Sequence, residues 1–274
     1  MNEILTAVIP VVIIGIICGT VLVVASKLMA VREDEKYPKL RDCLPGANCG
    51  ACGFAGCDGY ARALCEKEGT PINLCVPGGK SVADKLSTIM GVEPAEVKKL
   101  VAVVHCGGDC SKTEDKIIYQ GIPSCKAAKT LYGGKGSCVY GCLGLGDCVH
   151  SCPQHAISLE NGVARVDPEL CIGCGICTHA CPNHLISLEE DVKRVVVTCS
   201  NKDKGALTRK VCTNGCIGCK KCEKVCLLGA IKVIGNIAVV DYRKCRDCPD
   251  FAVCVKNCTT HCLIDIPAGQ QECE

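Results

Sequence analysis

Residues 171–182 read CIGCGICTHACP and set Cys171, Cys174, Cys177 and Cys181 two, two and three residues apart, with Pro182 behind the last. Thiolates are soft metal ligands, and three of them at this spacing wrap one iron–sulfur cube. The fourth, carried on the helix that follows, points at a different cube, so one run of this kind requires a second. Zinc also takes four cysteines, but its ribbons pair two separated C-x2-C knuckles, and the consecutive run favours the cube.

The elements that must hold such a run are unusual in composition. Of 274 residues, thirty are cysteine, two are phenylalanine and none is tryptophan. So few large side chains cannot fill a sizeable conventional core, and bound metal, whose binding free energy becomes folding free energy, is expected to hold the soluble part together. From Ile4 to Ala25 the chain carries no charge, about 33 Å of helix, and Lys27, Arg32 and Lys36 follow. That pattern predicts an uncleaved N-terminal transmembrane helix, a single pass at the cell membrane, with the soluble domains on the cytoplasmic side. A reducing cytoplasm argues against disulfides. Gly15 and Gly19 give that helix a small-xxx-small spacing, open between a helix–helix contact and simple tolerance by lipid.

An internal repeat sets the organisation of the rest. A shift of seventy-four residues carries Cys138, Cys142, Cys148, Cys152, Cys171 and Cys174 onto Cys212, Cys216, Cys222, Cys226, Cys245 and Cys248, and lays AISLENGVARVD over AIKVIGNIAVVD. Asn161-Gly162 and Gly235-Asn236 are two-residue turn signals, so each repeat reads as cysteine loop, short helix, β-hairpin, cysteine loop, short helix. The run at Cys171 matches the C-x2-C-x2-C-x3-C-P pattern of bacterial ferredoxins. The expected fold is therefore small α+β, held by clusters. Its parts are the transmembrane anchor (1–26), a tether (27–41), a four-cysteine 4Fe-4S domain (42–100), a cysteine-containing connector (101–137), ferredoxin-like unit 1 (138–188), a linker (189–211), ferredoxin-like unit 2 (212–266) and a tail (267–274).

In unit 1, Cys171, Cys174 and Cys177 are expected to share a [4Fe-4S] cluster with Cys152, while Cys181 crosses to Cys138, Cys142 and Cys148. That trio is irregular, and Leu145 stands where the second repeat has Cys219. In unit 2, Cys216, Cys219, Cys222 and Cys226 form the regular run and Cys245, Cys248, Cys254 and Cys258 the return loop, with the same crossing expected. The N-terminal module offers Cys49, Cys52, Cys57 and Cys75 among Gly50, Gly53 and Gly56, whose backbone can fold tightly and turn N–H groups toward sulfur. These sets make at least five [4Fe-4S] clusters, with Cys106, Cys110, Cys125, Cys199 and Cys212 as candidate ligands of a sixth. Cys18, Cys43, Cys65, Cys262 and Cys273 are read as unligated. His155, His184 and His261 each follow a ligand cysteine by three residues and read as caps or donors to the ligands. No Walker lysine loop and no strand-linked G-x-G-x-x-G occurs, so no nucleotide is expected on this chain, and the scarcity of aromatics argues against nucleic acid.

Taken in order, these modules resemble the B subunit of the Rnf family: an N-terminal anchor, a domain reading LPGANCGACGFAGC…CVPGG, then ferredoxin-type units. The resemblance implies an electron-relaying subunit of an ion-pumping ferredoxin:NAD oxidoreductase, a translocase exporting Na⁺ or H⁺. It implies soluble ferredoxin as electron donor, other membrane and peripheral subunits as partners, nicotinamide and flavin sites on those subunits, and no substrate-converting catalytic site here. Other readings are an electron-transfer subunit of a hydrogenase or heterodisulfide-reductase assembly, and an iron–sulfur sensor or storage protein. Between residues 192 and 262, fourteen Lys or Arg face five Asp or Glu, in a chain whose net charge is only +2. This excess reads either as a docking face for an acidic ferredoxin or as compensation for the clusters and for anionic lipid.

Overall fold

The computed structural model describes residues 2–28, 36–67, 69–93, 96–190, 194–249 and 252–266. The first element, α1 (Asn2–Leu28), is a 27-residue helix with Pro10 inside it. The expectation of a transmembrane helix is corrected here: among the described residues no helix is long and apolar enough to cross a membrane. Residues 29–35 of the tether and all of the tail, with Cys273, lie outside the described residues.

The N-terminal module packs α2 (Lys36–Cys43), α3 (Gly56–Glu66) and α4 (Gly79–Met90) around Leu40, Tyr60, Leu64, Val82 and Leu86. Tyr60 stacks on Phe54 with ring centroids 5.4 Å apart, and its hydroxyl donates to the Pro71 carbonyl at 2.7 Å. Helix α4 stops at Gly91, whose φ of 68° is left-handed, as a helix C-terminus commonly requires.

The chain then forms β1 (Leu100–Val104), α5 (Cys125–Lys129), α6 (Asp147–His150), β2 (Ile157–Glu160), β3 (Val163–Val166), α7 (Ile176–Ala180) and β4 (Ile186–Glu190). β1 pairs antiparallel with β4, from Leu100↔Glu190 to Val104↔Ile186, and β2 pairs with β3. The second half repeats this plan with β5 (Arg194–Val197), α8 (Gly205–Val211), α9 (Lys221–Val225), β6 (Ile231–Ile234), β7 (Ile237–Val240), α10 (Tyr242–Cys245), α11 (Val253–Lys256) and β8 (Leu263–Ile266). There β5 pairs with β8 and β6 with β7. Both hairpins turn on two left-handed residues, Asn161 and Gly162 in one, Gly235 and Asn236 in the other, as the tight turn requires. The opening strand of each unit comes from residues read in the sequence as connector and linker: β1 and β5 precede 138 and 212.

Cysteine sulfurs sit inside both small cores. Unit 1 packs Val101, Ile157, Val163 and Leu185 with Cys148 and Cys177, and unit 2 packs Val195, Ile231 and Leu263 with Cys216, Cys222, Cys245 and Cys254. The units meet through Val103 on β1, Val196 on β5 and Ile266 on β8, all buried together.

Candidate iron–sulfur sites

Each cysteine loop is shaped by left-handed turns that throw successive sulfurs to one side. In unit 1, Gly173 and Gly175 have φ of 65° and 77° between the cysteines of the run. A Cβ on Gly173 would meet the Leu100 carbonyl, so only glycine lets this loop lie against β1. The result is a hollow lined by Cys152, Cys171, Cys174 and Cys177 with Ala102, Ile157 and Leu188. The Ala102 amide donates to Cys171 Sγ at 3.4 Å, and the Ala156 amide to Cys152 Sγ at 3.3 Å.

A second hollow in unit 1 is lined by Cys125, Cys142, Cys148 and Cys181, with Leu143, Leu185 and Ile186. Cys181 thus leaves its own run and joins the other loop, its sulfur accepting from the Leu185 amide at 3.4 Å. Cys138, expected beside Cys142 and Cys148, is not part of this set; Cys125 takes the place instead. Helix α5 carries Cys125 there because the Asp147 carboxylate at the start of α6 accepts from the amides of Cys125 and Lys126, both at 2.9 Å, and from Ser124 Oγ at 2.9 Å.

Unit 2 repeats the crossed arrangement. One hollow is lined by Cys216, Cys219, Cys222 and Cys258, the other by Cys226, Cys245, Cys248 and Cys254. The Ala230 amide donates to Cys226 Sγ at 3.2 Å, the counterpart of the Ala156 and Leu185 bonds. Cys262 lies against the first hollow, 3.7 Å from Cys258 Sγ. In the N-terminal module, Cys75 is buried with Cys57, Cys49 and Cys52 within electrostatic reach, so all four candidates of that module come together. The Asn48 side chain accepts from the Cys57 amide at 2.9 Å and lies where a Cβ on Gly56 would stand.

The remaining candidates divide. Cys106, Cys199 and Cys212 gather with Cys138 at the junction of the two units, whereas Cys110 is exposed and its sulfur lies 2.8 Å from the position a Cβ on Gly162 would take. Cys18 is exposed on α1, and Cys43 and Cys65 pack in the N-terminal core. His155, His184 and His261 are exposed and have φ of 51°, 51° and 52°. The fourth equivalent position is Gly229 with φ of 58°. What these places share is a left-handed backbone, a turn requirement that the histidine chemistry of the sequence obscures and that Gly229 reveals.

Burial pushes the thiols of Cys148 and Cys177 up to about 12, and those of Cys222 and Cys254 up to about 11, with neighbouring thiolates adding to the shift. Cys258 goes the other way, to about 4, because the Cys262 thiol hydrogen-bonds to it. Sets of buried thiols that resist ionisation alone suit ligands whose metal supplies the compensating positive charge. Among the described residues, no three His, Cys, Asp or Glu side chains converge tightly enough for a single metal ion. The wider rings of four sulfurs, with amides aimed at them, fit a multi-iron cluster better than mononuclear zinc.

Crossed four-cysteine sets on paired hairpins fit one class: an iron–sulfur protein made of ferredoxin-like units. Two family matches fall on these parts, one described as "Putative Fe-S cluster" over residues 44–77 and one as "4Fe-4S binding domain" over residues 164–187. The chain is 41% identical over 270 residues to the B subunit of the proton-translocating ferredoxin:NAD(+) oxidoreductase complex of Clostridium ljungdahlii, covering 98% of this chain and 95% of that one. It is 43% identical over 246 residues to the B subunit of the ion-translocating oxidoreductase complex of Methanosarcina acetivorans, covering 89% and 92%. To the B subunit of the Na(+)-translocating ferredoxin:NAD(+) oxidoreductase complex of Acetobacterium woodii it is 41% identical over 252 residues, covering 92% and 74%. The chain belongs to this family of B subunits of ion-translocating oxidoreductase complexes.

Proposed function

We propose that this chain is the iron–sulfur electron-transfer subunit of a membrane-associated, ion-translocating ferredoxin:NAD(+) oxidoreductase, working beside other subunits and receiving electrons from a soluble ferredoxin. The observation that carries the reading is that the four-cysteine sets adjoin one another. Cys49 of the N-terminal module lies within electrostatic reach of Cys174 in unit 1, whose thiol burial pushes up. The two sets of each unit share one core. Clusters bound in such sets take up and release single electrons. The chain's own residues hold the sulfurs, aim amides at them and bury them in apolar surroundings, which are the means by which a protein tunes a cluster potential. The near full-length B-subunit relatives support this reading over a hydrogenase-type subunit or a sensor. The cysteine-rich domains suit a reducing cytoplasmic side.

Electrons enter, in this reading, at unit 2. Cys219 is exposed, and Lys220, Lys221 and Lys224 beside it are exposed too. The local excess over 192–262 is nine positive charges by sequence. Eight thiolates and two cubes of roughly +2 each take back about 4 of these, which leaves roughly +5 to steer an acidic partner. Opposite potentials raise encounter rates more than final affinity. The triple variant Lys220→Glu, Lys221→Glu, Lys224→Glu is expected to be reduced more slowly by an acidic ferredoxin, with a flatter dependence on salt. An unchanged rate and salt slope place the docking face elsewhere.

A further inference from the structure

We propose that Cys106, Cys138, Cys199 and Cys212 form a sixth iron–sulfur site, shared equally by the two repeats and bridging them. The inference rests on the iron–sulfur reading of the other sets. Its residues come from equivalent places. Cys106 lies two residues past the end of β1, and Cys199 two past the end of β5. Cys138 and Cys212 each precede the first cysteine of a hollow by four residues, at Cys142 and Cys216. The hydrogen bonds follow the same symmetry: the Cys142 amide donates to Cys106 Sγ at 3.3 Å, and the Cys216 amide to Cys199 Sγ at 3.2 Å.

The four cysteines gather at the unit junction. A Cβ on Gly108 would stand 3.2 Å from Cys212 Sγ and 3.9 Å from Cys106 Sγ, so those sulfurs are no further apart than these two distances together. Asn201, only 2% exposed, reaches the other two: its side-chain amide donates to Cys138 Sγ at 3.5 Å and its backbone amide to Cys199 Sγ at 3.5 Å. Burial raises the Cys106, Cys199 and Cys212 thiols, and Cys138 lies within electrostatic reach of all three. Around the set the units are stitched by Gly107 N–H to the Thr198 carbonyl at 2.8 Å and by Thr213 N–H to the Lys112 carbonyl at 2.9 Å.

The position gives the site its role. Through those two amides it touches the Cys142 loop on one side and the Cys216 loop on the other, so it joins two units that otherwise meet through Val103, Val196 and Ile266. The test uses the full chain, reconstituted anaerobically with iron and sulfide. Wild type is expected to hold about twenty-four irons, and Cys199→Ala or Cys212→Ala about twenty, with the spectra of the remaining clusters kept. The exposed Cys110→Ala, outside every set, loses none. Iron unchanged in both variants, or about twenty in wild type, overturns the sixth site alone; fewer than about eight in wild type overturns the iron–sulfur reading beneath it. Should the variants misfold, alkylation of the native holoprotein decides. Cys138 and Cys199 are expected to be protected while Cys110 reacts, and equal reactivity of the three rejects the site.

Discussion

Cys125 carries the sharpest consequence of the structure, because it completes a four-cysteine hollow that sequence spacing would complete with Cys138. It is buried at the start of α5, and Asp147 pins that helix end beside Cys148 through two amides and a hydroxyl at 2.9 Å. A serine at 125 keeps the helix and its cap but replaces the soft sulfur by a shorter, harder oxygen, which leaves Cys142, Cys148 and Cys181 with three thiolates. A cube so depleted is expected to be lost, about four irons per chain. Whether two cysteines serve one cluster is then a question of additivity. Cys125→Ser combined with Cys181→Ser should lose about the same four irons as either alone, since both empty one set, while Cys125→Ser with Cys177→Ser should lose about eight. The assay is iron and acid-labile sulfide on anaerobically reconstituted protein, with low-temperature magnetic resonance to count the surviving clusters. Additive loss in the Cys125–Cys181 pair would refute the shared set, and loss confined to the Cys171 cluster would refute the crossing itself.

Two further outcomes follow from packing. Asp147→Ala removes three hydrogen bonds to a carboxylate and is expected to cost about 1–3 kcal/mol. It should show as earlier thermal bleaching of unit 1, with Asp147→Asn rescuing it only in part, since an amide keeps one acceptor oxygen and turns an NH2 toward a backbone N–H; equal melting of wild type and Asp147→Ala rejects the pinning role. Leu86→Ala empties a fully buried site in the N-terminal module and is expected to cost about 2–5 kcal/mol. Proteolysis should then cut that module first and spare both ferredoxin-like units, so simultaneous loss of all three contradicts their separate cores.

The hairpins were legible because alternation and two-residue turns are local signals, and AISLENGVARVD and AIKVIGNIAVVD each form a strand pair at these residues. The strands β1 and β5 were less so. Each pairs with a partner near the far end of its unit, Leu100 with Glu190 and Val197 with Leu263, and nothing local marks such a contact. The membrane span failed for a different reason: an uncharged run in sequence is not a helix long and apolar enough among the described residues. At the sites, regular x2 spacing points to one set by itself, whereas Cys125 reaches its set only through the α5–α6 contact. The seventy-four-residue shift did hold a clue to the bridge, since it pairs Cys138 with Cys212, and a residue set aside in one repeat implies its counterpart in the other.

That exchange of Cys125 for Cys138 has a physical logic. In the second repeat thirteen positions separate Cys199 from Cys212; in the first, thirty-two separate Cys106 from Cys138. The extra chain contains α5. The first repeat also has Leu145 where the second has Cys219, so its cluster loop is one thiolate short. Lengthening a connection from thirteen to thirty-two residues costs under about 1 kcal/mol of loop-closure entropy. Leaving a buried cluster one ligand short forfeits much of the binding free energy that folds an aromatic-poor core. The cheaper change is the longer loop. It supplies a thiolate from outside the motif and leaves Cys138 at the unit junction, where Cys106, Cys199 and Cys212 stand. The departure of this loop from regular spacing and the convergence of four cysteines at the junction therefore have one cause.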